Sequence, residues 1–246
     1  MQNKVVLVTG GSKGIGAAII QRAVSDGASV VINYSRDAAP AQDLVAKIGE
    51  SRALAVQADV SKVAGIEALV AAAVEKFGHI DVICANAGWM PLQPNAAVTE
   101  DMFNRIYDIN VKQPLFLVQK AVPHMANGGR IILNSTSICH NSALPHVYGL
   151  YASTKGAVEQ LTRALSKDPS IAEKGITVNC IAPGPTRTAL FLEGKSEEMV
   201  KGIEKQSPYG RLAEPEEIAN LFAFIMGPQA TWVSGQTIMS NGAAMV

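Results

Sequence analysis

Val5-Val6-Leu7-Val8-Thr9-Gly10-Gly11-Ser12-Lys13-Gly14-Ile15-Gly16 passes from a short apolar run, through a glycine-rich turn, into a helical pattern at about 14–26. A strand, a tight turn and a helix in that order bring free backbone N–H groups and a helix dipole to one point, where a dinucleotide pyrophosphate can bind. The spacing is GxxxGxG rather than GxGxxG, and no Gly-Lys-Ser/Thr closes a nucleoside-triphosphate loop.

Outward from this turn, β-branched runs recur at 29–33, 53–57, 82–85, 130–135, 176–181 and 236–239, making seven expected strands. Their near-continuous apolar character predicts a parallel sheet covered on both faces. Helix-length patterns lie between them at 38–49, 63–77, 100–126, 148–168 and 214–226. This alternation predicts an α/β chain, a single doubly wound Rossmann-type domain over 1–246. The stretch 184–213, rich in proline and glycine around a weakly amphipathic piece at 189–205, is outside the rhythm and reads as a mobile substrate loop.

The 246 residues are 48% hydrophobic and 17% charged, which suits one full core. Lys and Arg number 21, as do Asp and Glu, so bulk charge favours neither nucleic acid nor an anionic membrane. The four-residue apolar run 5–8 is too short for a signal peptide or a span. Cys84, Cys139 and Cys180 form no CxxC pair and no metal-ligand cluster, so no metal is expected and a reduced, cytoplasmic setting is. Cys139 adjoins His140, but neighbours in one segment rarely converge on one substrate as a Cys/His pair must.

At the end of the second strand, Asn33-Tyr34-Ser35-Arg36 stands where an acid would bind the adenosine ribose of NAD. Arg36 and Lys13 instead place two cations where a 2′-phosphate would sit, which favours NADP(H). Farther on, Tyr151 and Lys155 are four residues apart on a helix and share a face. A phenol, with a reference pKa near 10, exchanges protons at neutral pH only when a nearby positive charge favours the phenolate.

These features together resemble the short-chain dehydrogenase/reductase family along essentially the whole chain. Thr9-Gly10-x-x-x-Gly14-Ile15-Gly16 is similar to its pyrophosphate turn, with Ser12 and Lys13 inside it. Asn86-Ala87-Gly88 is similar to its NAG element, and Asp59-Val60 to its adenine-contacting step. Pro183-Gly184, with Thr186 and Thr188, is similar to its nicotinamide-side loop. Asn110, Ser137, Tyr151 and Lys155 match its catalytic set in order. Ala85 and Asn241-Gly242-Ala243 depart from the common pattern.

The resemblance implies an NADP(H)-dependent reductase of ketones or quinones. Tyr151 would be the acid/base, Ser137 would fix the substrate oxygen, and Lys155 would favour tyrosinate and hold the nicotinamide ribose. Asn110 would anchor a water linking Lys155 to solvent. Ser137 stands fourteen residues before Tyr151 and is the best match for the serine, with Ser135 as fallback; Tyr148 is set aside because residue 152 is alanine, not lysine. Trp89, Met90 and Leu92, 138–146 and 189–192 would wall an apolar small-molecule pocket. Within the family, fungal hydroxynaphthalene-type and acyl-carrier ketone reductases are nearer in character than sugar-nucleotide epimerases. An epimerase or isomerase, or a non-catalytic NADP-sensing regulator, is the alternative. A homotetramer is implied, with 100–126, 148–168 and the chain end as interfaces.

Overall fold

The computed structural model describes residues 1–245. Among them, seven parallel strands form one sheet: β1 (Val5–Val8), β2 (Ser29–Tyr34), β3 (Ala53–Gln57), β4 (Ile80–Ala85), β5 (Met125–Asn134), β6 (Thr177–Pro183) and β7 (Thr237–Ser240). The order is β3-β2-β1-β4-β5-β6-β7. Winding reverses between β1 and β4, and in such sheets the crevice beyond the strand ends at the reversal receives the ligand.

The helices are α1 (Gly14–Ser25), α2 (Ala39–Ile48), α3 (Val63–Phe77), α4 (Glu100–Tyr107), α5 (Gln113–Ala121), α6 (Gly149–Leu165), α7 (Pro169–Ala172), α8 (Ala189–Leu192), α9 (Glu197–Gln206) and α10 (Pro215–Met226). Apolar residues of α1, α2 and α10, such as Ile19, Leu44 and Phe222, cover one face of the sheet. Those of α3, α5 and α6, such as Leu69, Leu117 and Val158, cover the other. Both faces are therefore dry, which is why the strands lack a polar alternation.

Three expected elements differ. The helix expected over 100–126 is interrupted by a π-turn, Asp108–Lys112, and gives way to β5 at Met125. Pro114 has no N–H to give the Asn110 carbonyl four residues back, so the ordinary helical ladder is interrupted there. β5 starts five residues earlier than expected because its first part passes through Gly128-Gly129, with a register irregularity against β4. The amphipathic piece expected at 189–205 is two helices, α8 and α9, separated by Gly194 at φ +73°.

The first turn is held by close packing. A Cβ added to Gly16 would lie 2.2 Å from the Gly10 carbonyl oxygen and 2.8 Å from Asn86 Nδ2, so α1 sits directly on the turn that precedes it. Neither contact is a flexible chain end. Gly16→Ala is expected to cost about 2 kcal/mol or more of stability, read as a lowered urea midpoint of the cofactor-free protein; an unchanged midpoint would show that the turn can yield.

Candidate active site

Thr9, fully buried at the end of β1, accepts on Oγ1 from Asn86 N and Ala87 N, each at 3.0 Å, and Gln113 Nε2 lies 3.4 Å from the same oxygen. Asn86 Nδ2 in turn donates to the Thr9 carbonyl at 3.1 Å, and Asn86 Oδ1 accepts from Asn134 Nδ2 at 3.1 Å. The turns after β1, β4 and β5 are thereby fixed to one another. Asn33 Oδ1 accepts from Gly10 N at 3.2 Å, while its Nδ2 donates to the Ala58 carbonyl at 3.1 Å. Its amide is a brace between the turns after β1 and β3.

A cavity of about 470 Å³ opens over these turns, lined by Gly10, Ser12, Lys13, Gly14, Ile15, Asn33, Tyr34, Ser35, Arg36, Asp59, Val60, Asn86, Ala87 and Gly88 among others. The amino end of α1 opens on it with no acid in its first turn, as an anion site requires. Ile109, Asp37, Thr188, Ala189 and Leu190 complete its wall. Of these, Asp37 matters most, because its Oδ2 pairs with Lys13 Nζ at 2.6 Å, and the lysine holds its carboxyl below the usual carboxylate range. The pairing could have been foreseen: Asp37 directly follows Arg36 on a turn that faces the glycine loop. Asp59 accepts from Ser61 N at 3.0 Å, and hydrogen bonding to Ser61 lowers its pKa.

Beyond Gly88 and Asn134 lie the remaining expected residues. Lys155 is buried and its Nζ donates to the Asn134 carbonyl at 2.6 Å; a Cβ on Gly88 would lie 3.7 Å from that Nζ and 3.5 Å from Asn110 Oδ1. Lys155 Nζ is 5.9 Å from the Tyr151 ring centre. Ser137, 1% exposed, opens a short 3₁₀ turn (Ser137–His140), and its hydroxyl has no hydrogen-bond partner. The neighbouring Thr136 hydroxyl lies 3.5 Å from the Pro183 carbonyl and accepts from Ile138 N at 3.4 Å.

A family model described as enoyl-(acyl carrier protein) reductase matches residues 10–243. A hydroxynaphthalene reductase-like protein, Arp2, of Metarhizium guizhouense is 38% identical over 259 residues, spanning 100% of this chain and 96% of its own. The crystal structure of a blue fluorescent protein from a metagenomic library, in complex with NADPH, is 32% identical with a TM-score of 0.93, covering 100% of this chain and 99% of that one. A short-chain dehydrogenase from Burkholderia cenocepacia in complex with NADP is 32% identical with a TM-score of 0.92, covering 99% and 98%. The chain belongs to the short-chain dehydrogenase/reductase family.

Members of this oxidoreductase family use a nicotinamide cofactor, and the cavity fits one. At Gly10, where φ is +60°, a Cβ would reach within 3.1 Å of Ala87 Cα, so glycine is what lets the turns after β1 and β4 pack this closely along the cavity. The acid-free helix end suits phosphate, and Gly88 and Asn134 on the cavity wall stand next to the Lys155 ammonium.

Some expected family contacts sit away from this cavity. Pro183, Gly184 and Thr186 do not line this cavity: Thr186 Oγ1 donates to the Gly184 carbonyl at 2.9 Å, and Gly184 packs on Asn241. Thr188 does line it, while capping α8 by accepting from Phe191 N at 3.2 Å. Gly16 supports the turn from beneath and is not on the cavity wall. Ser135 is no fallback for Ser137, because its Oγ donates to Glu159 Oε1 at 2.9 Å. The Asn110 amide is committed to both backbone groups of Trp89 and to Thr154 Oγ1, leaving its main-chain carbonyl to meet any water. Cys139 is no nucleophile: burial pushes its thiol up to about 11. Tyr148 is half-buried, and burial raises its pKa as well.

The electrostatics differ from the simple expectation for the Tyr151/Lys155 pair. Burial raises the Tyr151 phenol, so the tyrosine is protonated at neutral pH. Burial also lowers Lys155 to about 8. The unfolded chain therefore holds more protons than the folded one between about pH 8 and the ordinary lysine value near 10.4. Stability rises with pH across that window. Relative to Lys155→Met, the cofactor-free wild type is expected to gain on the order of 3 kcal/mol between pH 7 and pH 10; a pH-independent difference in denaturation free energy would show that Lys155 titrates normally.

Proposed function

We propose that the protein is an NADP(H)-dependent carbonyl reductase, converting a ketone or quinone reversibly to a secondary alcohol or its equivalent. What carries the reading is the buried Ser137 hydroxyl with no protein partner, on a segment tied to the helix of Tyr151 and Lys155 at the Lys155 and Ala152 carbonyls and at Glu159. Bound NADPH supplies the hydride. Tyr151, kept protonated by its surroundings, gives its phenolic proton to the oxygen as the carbonyl carbon gains a hydrogen. Ser137 donates to that same oxygen, so developing negative charge meets two preplaced donors. Lys155 places a positive charge near the phenol, favours tyrosinate once the proton has left, and holds the nicotinamide ribose. The Asn110 carbonyl, denied its helical donor by Pro114, holds a water through which the proton is replaced.

The NADP(H) preference is supported by Arg36 on the cavity wall and by the NADPH and NADP bound to the two solved relatives. Arginine is the stronger element, because the Lys13 charge is shared with Asp37. The substrate proposed is an aromatic or aliphatic ketone or quinone, received between Trp89, Met90 and Leu92 and the segment 184–213, of which Ala189 and Leu190 line the cavity. A single domain over 1–246 and a homotetramer complete the proposal. Phe103 and Tyr107, stacked at 4.4 Å with Phe103 exposed on α4, suit a subunit contact there.

A panel of ketones, diketones and quinones with NADPH, and with NADH as control, tests the reaction. Tyr151→Phe is expected to lose at least about 100-fold in turnover with NADPH affinity near wild type; retained turnover removes Tyr151 from the acid role. Product change without net NADPH consumption would favour an isomerase, and tight binding without turnover a regulator. Arg36→Ala is expected to weaken NADPH by about tenfold and NADH little, with Lys13→Ala smaller in effect; equal loss for both nucleotides undoes the 2′-phosphate contact.

A further inference from the structure

Glu159 is a carboxylate only 5% exposed, on α6 one turn beyond Lys155 and two beyond Tyr151. Burying a carboxylate is costly unless it is paired and hydrogen-bonded. Its partners lie on both sides of Ser137. Ser135 Oγ, at the carboxyl end of β5, donates to Glu159 Oε1 at 2.9 Å and also lies 3.4 Å from the Lys155 carbonyl. His140 Nε2, at the far end of the 3₁₀ turn, is 3.1 Å from the same Oε1. An ionised carboxylate only accepts, so Nε2 carries the hydrogen. Between these anchors, Cys139 Sγ is 3.5 Å from the Ala152 carbonyl, a weaker tie to the same helix.

We propose that Glu159 is a positioning residue: one carboxylate oxygen on the helix of Tyr151 and Lys155 grips the segment of Ser137 before and after the serine. The Ser137 hydroxyl, buried and without a partner, is held by its flanks instead of by a bond of its own. This arrangement fixes the serine relative to the phenol while leaving the hydroxyl available for a substrate oxygen. The inference rests on the catalytic reading of Ser137 and Tyr151. Its distinct claim is that Glu159 acts through Ser137 and makes no contact with substrate.

The test uses full-length Glu159→Leu, Glu159→Gln, Ser137→Ala and the Glu159→Leu/Ser137→Ala double variant. Reduction of 9,10-phenanthrenequinone by NADPH provides the rate, and crystal structures provide the position of residues 135–140. Glu159→Leu is expected to lose 10- to 100-fold in kcat, on the order of a misplaced group's effect, with the KM for NADPH unchanged. Glu159→Gln keeps a carbonyl oxygen that accepts from both partners and is expected to restore kcat to within about threefold of wild type. In the Ser137→Ala background, Glu159→Leu is expected to add little further loss, because the group it positions is gone. Additive losses, or a Glu159→Leu crystal structure with Ser137 unmoved relative to Tyr151, would overturn the proposal. Glu159→Gln as slow as Glu159→Leu would also overturn it, since charge and not anchorage would then be at work. Should Ser137→Ala or Tyr151→Phe turn over at the wild-type rate, the catalytic reading itself fails, while the crystal structures still decide whether Glu159 holds the loop.

Discussion

The turns after β1 and β4 and the first residue of α5 meet at a single buried hydroxyl, that of Thr9. Two backbone N–H groups of the turn after β4 and the side chain of Gln113 all end on it. Backbone donors buried away from water must find acceptors, and here one side chain supplies the acceptor for a pair of them. The result is a fixed floor at the point where the winding reverses. Asn86 extends this floor to Asn134, and the Asn134 carbonyl then receives Lys155. The nucleotide cavity and the Tyr151 region are therefore built on one continuous hydrogen-bonded frame. A change at Thr9 should be felt at Lys155 without touching it.

Most of this frame was legible in the sequence because its parts are local. The glycine turn, the NAG element and the Tyr151/Lys155 spacing each need only a few neighbouring residues to be read. Strands buried on both faces announce themselves as apolar runs, and six of the seven begin within two residues of their expected positions. Where the reading failed, a non-local or subtle backbone event was responsible. Pro114 sits near a helix start, a tolerated place, so its effect on the preceding ladder does not show as a break in pattern. Gly128 and Gly129 hide the first residues of β5 because glycine signals a turn. Asn33 lines the cavity and also braces two loops, and only the fold reveals the brace by bringing Gly10 and Ala58 to it.

Two buried titratable groups side by side carry opposite consequences of the same desolvation. Burial keeps the Tyr151 proton on and presses the Lys155 proton off. The phenol thus rests protonated, the state the proposed reduction uses, while the lysine carries a charge its surroundings oppose. Lys155 keeps one strong partner, the Asn134 carbonyl, and a carbonyl lessens the desolvation cost without neutralising the charge. Any added acceptor near Nζ therefore stabilises the ammonium more than it would in water. Hydroxyl groups of a bound ribose would do so, which couples cofactor binding to the protonation of the lysine.

Ser137 shows the same trade in a neutral group. An unpartnered buried hydroxyl costs roughly 1–3 kcal/mol, and a free loop would rotate or shift to relieve it. The neighbouring hydroxyl of Thr136 has partners within reach, accepting from Ile138 N at 3.4 Å and lying 3.5 Å from the Pro183 carbonyl. Ser135 is satisfied by Glu159. Three consecutive hydroxyl residues thus divide into two that are bonded and one that is not. Relief for the third would have to come from moving a segment whose other members are already tied to α6 and β6. The one hydroxyl without a protein partner is thus the one that the proposed reaction turns toward the substrate oxygen.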